Sequence, residues 1–188
     1  IKDDHLVDLI MKTNRLGSKN ADLFMYISEA GNEVDLKAEH INQYIRATSG
    51  EGFTAKNFRT WSATSRCAER LAFLSTPHDC KEMKNWIRKL PVSDSVQKLW
   101  DGNDWSVPDS EFAKNKTMLA VIDTVAADLG NTRAVCRSSY IHPWFLDAWM
   151  SESLNAKWQE YCDMRRIPGL SHGESTTLRI LKDLRNRN

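Results

Sequence analysis

Two segments of the sequence carry residues whose types and spacing could act on a phosphodiester bond. In the first, Phe53–Trp61, Lys56 and Arg59 lie three residues apart, so both side chains can project from one face of a helix. The second, Leu129–Pro143, contains four polar residues of interest: Asn131, Arg133, Arg137 and Tyr140. A tyrosine hydroxyl has an ordinary pKa of about 10, so it needs help before it can attack phosphorus. Guanidinium groups supply that help, because each can form two parallel hydrogen bonds to phosphate oxygens and always keeps its positive charge.

Exchanging a phosphodiester for a phosphotyrosine requires, in principle, neither a nucleotide nor a metal. The same residues also have a purely structural interpretation, since an arginine, an asparagine and a tyrosine occur in most chains. Spacing alone favours Arg59 as a surface or helix-pairing residue and Tyr140 as a half-buried aromatic. The local charge points the other way, because residues 37–70 hold six basic side chains against three acidic ones. The whole chain, with a net charge of +1, conceals this local excess.

Composition excludes several classes of protein. The chain has 188 residues, of which 41% are hydrophobic and 27% charged, as in ordinary globular domains. No stretch approaches the ~18 apolar residues of a membrane span, and the first residues lack the features of a signal peptide. None of the four cysteines forms a CxxC pair, so we expect no zinc site. We therefore expect no membrane association, no metal site and no cofactor.

The apolar residues recur with a helical period along most of the chain. The clearest helix is expected over 117–129, where Gly130 is a natural stop, and another should open at Thr54. A short turn or helix over 132–139 and a helix beginning at Pro143 should follow, while residues 23–27 could form a strand. The fold class is therefore mainly α with minor or no β structure. We expect one domain over 1–188, with an irregular insertion at about 75–116.

The two segments, read as FTAKNFRTWSAT and LGNTRAVCRSSYIHP, resemble the C-terminal catalytic region of type IB DNA topoisomerases, of the compact bacterial and poxvirus-like kind. The stretches LVDLIMKTN, LFMYI and HINQYIRATSGEG before them and YIHPWFLDAW and GLSHGESTTLRIL after them are similar too. The resemblance covers nearly the whole chain except about 75–116. It implies the helical fold of the tyrosine recombinase and topoisomerase IB superfamily.

The resemblance also implies roles for individual residues. Tyr140 matches the nucleophile that forms a 3′-phosphotyrosine link, and Arg59 matches the second catalytic arginine, which holds the scissile phosphate. Asn131 matches the position nine residues before the tyrosine, where a neutral amide can donate a hydrogen bond to a phosphate oxygen. Lys56 matches a basic position that contacts phosphate. With Arg133 and Arg137, it is our candidate for DNA binding.

Two groups of the family have no match in this sequence: its first catalytic arginine and the lysine that acts as general acid. We therefore expect the chain to be a fragment of a longer enzyme, inactive or very slow by itself. The parent should be a monomer that relaxes duplex DNA wherever the genome resides, in a bacterium the cytoplasmic nucleoid. Two alternatives stay open, a tyrosine recombinase or integrase and a non-catalytic DNA-binding module. The recombinase box usually reads His-x-x-Arg, whereas here it reads Lys56-Asn-Phe-Arg59 with the topoisomerase continuation.

Overall fold

The computed structural model describes residues 4–13, 24–75, 94, 98, 108 and 110–187. Its architecture is mainly helical, as the sequence predicted. The described elements, in chain order, are α1 (Asp4–Thr13), β1 (Met25–Ile27), β2 (Glu33–Asp35), α2 (Ala38–Ser49), α3 (Ala55–Leu74), α4 (Glu111–Leu129), α5 (Arg133–Ser139), α6 (Pro143–Met150), α7 (Ser153–Cys162) and α8 (His172–Asn186).

The chain divides into two compact units, residues 1–57 and residues 58–188, and α3 runs from the first into the second. In the first unit, β1 and β2 form an antiparallel hairpin in which Tyr26 pairs with Val34. Its turn requires the positive φ of +79° that Gly31 adopts. The candidate strand over 23–27 is thus present as Met25–Ile27. The amphipathic helix α2 follows, and none of its residues is buried.

The second unit holds the hydrophobic core. Helix α3 contributes a buried face with helical spacing, and α4 adds a second apolar face. The core is completed by residues of α5 to α8, of which Phe145, Leu154 and Ile180 are almost fully buried. Helix α4 packs on α5 and α6, and α7 packs on α6 and α8. This framework fixes α3 and α4, the two helices that carry or flank the predicted catalytic residues.

Helix α4 is longer than predicted and ends where predicted. It begins at Glu111 rather than near 117, because the Ser110 hydroxyl caps it by accepting a hydrogen bond from the N–H of Ala113 at 3.2 Å. The first turns are unburied and have no repeating apolar face, so hydrophobic periodicity could not reveal them. At the other end Gly130 has φ of +64°, and the N–H groups of Gly130 and Asn131 bond the carbonyls of Ala127 and Ala126. This Schellman motif sets the exit of the chain at Asn131.

Helix α8 packs its N-terminal end against α3. The Nε1–H of Trp61 donates to Glu174 Oε1 at 2.9 Å, and Glu174 also forms a capping box with Ser171. Gly173 leaves room for the Glu69 carboxylate, since a Cβ at that position would lie 2.5 Å from Glu69 Cδ. Burial raises the pKa of Glu69 above its usual range. The C-terminal helix therefore braces the segment of α3 that follows Arg59.

Most of the predicted insertion at 75–116 lies outside the described residues, and its last described part, from Ser110 on, belongs to the cap and first turns of α4. The expected extent of the catalytic region, 1–188, stays a prediction. In the described part of the chain, no helix is long and apolar enough to cross a lipid bilayer.

Candidate active site

Tyr140 lies at the point where α5 ends and the chain turns toward α6. Helix α5, only seven residues long, follows Thr132, whose hydroxyl caps its N-terminus. Tyr140 follows as its C-cap residue, with its N–H bonded to the carbonyl of Cys136 at 3.1 Å. Ile141, the next residue, is buried in the core, while the Tyr140 side chain is half-buried. The tyrosine thus lies near the surface, while its backbone is held by the bond to Cys136 and by the buried Ile141.

Arg59 projects from the second turn of α3 and contacts the other two predicted catalytic residues, Asn131 and Tyr140. Its Nη2 group donates to the carbonyl oxygen of Leu129 at 2.8 Å and to Asn131 Oδ1 at 2.9 Å. Its guanidinium carbon lies 5.3 Å from the centre of the Tyr140 ring, within the range of a cation–π contact. Residues 59, 131 and 140, far apart in sequence, therefore meet at one place on the second unit.

The Asn131 side chain has a defined orientation. Because the Arg59 guanidinium can only donate, the amide atom that faces it must be the oxygen. This leaves Asn131 Nδ2 on the other side, where it is buried and has no hydrogen-bond partner among the described residues. An unsatisfied buried N–H group is costly, and a ligand oxygen would satisfy it. The amide therefore presents a donor to whatever binds beside Arg59.

The electrostatics of the site favour an anionic ligand. Both hydrogen bonds of Arg59 within the described structure go to neutral oxygens, so the positive charge is not cancelled by a carboxylate. The nearby thiol of Cys136 is a poor competing nucleophile, because burial raises its pKa to about 11 in spite of the opposing effect of Arg59. The Tyr140 hydroxyl is the better candidate for attack on a bound phosphate.

Comparison with known families assigns the chain to a family. The model of the family "Eukaryotic DNA topoisomerase I, catalytic core" matches residues 4–162. The chain belongs to this family. A search of curated proteins finds no match. The expectation of a type IB topoisomerase region is confirmed at the level of the family, while the bacterial and poxvirus-like subtype stays a prediction.

In this topoisomerase chain, a second arginine joins α3 to α4, and sequence reasoning did not single it out. Arg70 is 3% exposed; its Nη2 donates to Asp128 Oδ2 at 2.6 Å and its Nη1 to Thr124 Oγ1 at 2.9 Å. Arg66 contacts the same Asp128 oxygen at 2.9 Å. The charge excess counted over 37–70 is therefore partly cancelled by a carboxylate that lies outside that window.

Thr64 is the second residue that the sequence did not reveal as part of the site. Its buried hydroxyl donates to the carbonyl oxygen of Tyr140 at 3.0 Å and accepts from the N–H of His142 at 3.1 Å. A threonine at an apolar position of a helix is normally a core residue, and its partners are more than 70 residues away. No local pattern could have revealed these bonds.

The predicted DNA-binding residues differ in how far they are already engaged. Lys56 is exposed on the first turn of α3, in the first unit, and Arg137 is exposed in the last turn of α5. Arg133 instead forms a two-pronged ion pair with Asp123, in which its Nε lies 2.6 Å from Oδ1. Their roles as DNA contacts stay predictions.

His142, next to the tyrosine, has a structural task. Its Nδ1 accepts from the N–H of Trp144 at 3.3 Å and caps α6, in which Pro143 occupies the first turn. Partial burial lowers the pKa of His142, which keeps the imidazole neutral and able to accept that bond near neutral pH. The residue thus begins the helix that follows Tyr140.

Proposed function

We propose that the full-length protein relaxes supercoiled DNA as a type IB enzyme, by transient cleavage of one strand at Tyr140. The observation that carries the proposal is the contact of Arg59 with both Asn131 and the Tyr140 ring. This cluster offers a charge-stabilising cation, a free amide donor and a nucleophile in one place. The family match supplies DNA as the substrate class and isomerisation of DNA topology as the reaction class.

The chemistry follows from these residues. The Tyr140 hydroxyl oxygen attacks the scissile phosphorus, a bond forms between Oη and phosphorus, and the bond from phosphorus to the 5′-oxygen breaks. The proton leaves the phenol, and the departing 5′-oxygen gains one to become a hydroxyl. Rotation of the nicked strand changes the linking number, and attack by the 5′-hydroxyl reverses the first step. One phosphoester replaces another each time, so no nucleotide is needed to drive the cycle.

Arg59 and Asn131 act on the charge that develops in the transition state. The guanidinium pairs with non-bridging phosphate oxygens, and Asn131 Nδ2 donates a further hydrogen bond to one of them. Because Asn131 stays neutral, it stabilises charge and transfers no proton. The arginine and the general-acid lysine that the resemblance requires match no residue of this sequence. We propose that the full-length polypeptide supplies both and acts on genomic DNA as a monomer.

The test is relaxation of a supercoiled plasmid by the full-length protein without ATP and with a chelator, alongside trapping of a covalent adduct on a denaturing gel. Tyr140→Phe keeps the ring and its contact with Arg59 but removes the attacking oxygen, so both relaxation and adduct should vanish. Tyr161→Phe, which alters another half-buried tyrosine, is the matched control and should stay active. An adduct formed by Tyr140→Phe would show that the nucleophile is another residue.

The 188-residue chain by itself should form the adduct far more slowly than the full-length protein, because it lacks a matched general acid. Parent-like relaxation by this chain would mean that an acid lies within its own residues.

A further inference from the structure

The Thr64 hydroxyl connects the helix that carries Arg59 to the turn that carries Tyr140. Thr64 is 2% exposed and lies in the middle of α3. Its two bonds, to the carbonyl of Tyr140 and from the N–H of His142, hold the backbone on both sides of Ile141. One hydroxyl therefore satisfies a backbone acceptor and a backbone donor of the nucleophile turn.

The hydroxyl of the neighbouring Ser65 forms the hydrogen bond that is more usual for a serine or threonine in a helix. Ser65 is also buried, at 4% exposure, and its hydroxyl donates to the carbonyl of Trp61 at 2.9 Å, one turn back in the same helix. Such back-bonding is the common local solution for serine and threonine in helices. Thr64 instead uses its hydroxyl entirely on a segment more than 70 residues away.

The position of Thr64 on α3 links the two halves of the site. It follows Arg59 by five residues on one continuous helix, so α3 sets the place of the guanidinium and, through Thr64, that of the Tyr140 backbone. The N–H of Tyr140 is fixed separately by Cys136. The backbone of Tyr140 is thus bonded at both its N–H and its carbonyl, while the side-chain torsions can adjust toward a phosphate.

We propose that Thr64 is a positioning residue for the nucleophile, an inference that rests on the function proposed above. Thr64 touches neither DNA nor the reacting atoms; it holds the turn from which Tyr140 reaches phosphorus. In-line attack requires the oxygen at near-contact distance, and a misplacement of about 1 Å can cost on the order of 100-fold in rate. Loss of the hydroxyl should therefore slow cleavage without weakening the grip on DNA.

The experiment measures single-turnover adduct formation by the full-length protein on a duplex whose short leaving strand diffuses away after cleavage. Thr64→Val keeps the shape and removes the hydroxyl, and it should lower the rate at saturating DNA by about 10- to 100-fold. Thr64→Ser keeps the hydroxyl and should restore most of the rate. Ser65→Ala is the matched control, since it removes only a bond within α3, and should react like the unmodified protein.

Two further readouts separate positioning from a loss of folded protein. The amplitude of the reaction reports the active fraction, which Thr64→Val should leave intact while the rate falls. DNA affinity, measured in a Tyr140→Phe background to prevent cleavage, should be unchanged by Thr64→Val. If Thr64→Val does not fold, Thr64→Cys replaces it, because a thiol is a weak donor and acceptor, and should give an intermediate rate.

A normal rate for Thr64→Val, or for Thr64→Cys where that variant replaces it, would overturn the inference. So would an equal loss in Thr64→Ser, or a fall in amplitude with an unchanged rate. Failure of the unmodified full-length protein to form any adduct would instead overturn the proposed function.

Discussion

Three arginines of helix α3 reach the C-terminal end of α4, and two of them, Arg59 and Arg70, differ in the charge of their hydrogen-bond partners. Arg70 is buried and its charge is matched by the carboxylate of Asp128. Arg59 is half-exposed and, among the described residues, its hydrogen bonds go to the neutral oxygens of Leu129 and Asn131. The charge of Arg70 is therefore neutralised without a ligand, whereas the charge of Arg59 is left to interact with an anion. The type of residue is the same, and the charge of the partner separates the structural arginine, Arg70, from the one proposed to be catalytic, Arg59.

The largest expected effect is that of replacing Arg59, at the contact between α3 and the C-terminal end of α4. Arg59→Ala should slow adduct formation about 100- to 1000-fold, which corresponds to roughly 3–4 kcal/mol of transition-state stabilisation. The free energy of unfolding should change by less than about 1 kcal/mol, because the hydrogen bonds of Arg59 are partly open to solvent and involve no buried charge. Single-turnover rates and chemical denaturation of the same preparation measure the two quantities. A large loss in the free energy of unfolding with little loss in the rate of adduct formation would mean that Arg59 has a structural role.

Replacement of Arg70 should have the opposite result, a large loss of stability. Arg70→Met leaves the buried Asp128 with Arg66 as its remaining cation among the described residues, so we expect a loss of about 3 kcal/mol in the free energy of unfolding. For a protein of this size that corresponds to a melting temperature lower by roughly 6–12 °C. The double variant Arg70→Met/Asp128→Leu is the control, since it removes the carboxylate as well and should recover much of the loss. An unchanged melting temperature for Arg70→Met would contradict the pairing.

The contrast between the two arginines also marks what could be predicted from the sequence. Hydrophobic periodicity and end residues predicted α3, α5, the stop of α4 at Gly130 and the start of α6 at Pro143, because those features are local. The family resemblance pointed to Arg59, Asn131 and Tyr140, which patterning alone could not separate from ordinary surface residues. The pair of Arg70 with Asp128 spans 58 residues, and no local rule says which basic residue is buried.

The first unit shows a different limit. Ile41, Tyr44 and Ile45 have the spacing of an apolar helix face, and they lie on α2, which covers Ala38–Ser49. Tyr44 is nevertheless 71% exposed and Ile41 is 43% exposed. Periodicity therefore identifies the apolar face of a helix, while burial of that face depends on partners that the pattern does not specify. In the second unit the corresponding faces of α3 and α4 are buried, so the same kind of pattern had a different outcome.

A smaller effect is expected at Asn131, where one variant would give Arg59, the proposed catalytic arginine, a carboxylate partner like that of Arg70. Asn131→Ala removes a neutral donor and should slow adduct formation by about tenfold, or ~1.4 kcal/mol. Asn131→Asp keeps the shape but places a carboxylate on Arg59, as Asp128 does on Arg70. It should be slower than Asn131→Ala, because the guanidinium charge is then cancelled and no amide donor remains. Faster cleavage by Asn131→Asp than by Asn131→Ala would break the comparison.

The smallest effects are expected for the basic residues outside the contact between α3 and α4. They are measured through the salt dependence of duplex DNA binding by the 188-residue chain. Binding should be weak and should fall steeply with salt, because each phosphate contact releases counterions. Lys56→Ala and Arg137→Ala should each lower the slope of log K against log salt by about one.

Arg133→Ala should lower that slope less, since its guanidinium is already paired with Asp123 and must leave that carboxylate to reach a phosphate. Lys182→Ala, on the exposed side of α8, is the matched control and should leave the slope unchanged. A full loss of about one unit for Arg133→Ala would mean that its ion pair opens freely on DNA. The rule drawn from Arg59 and Arg70, that a carboxylate partner withdraws an arginine from phosphate binding, would then hold only where the pair is buried.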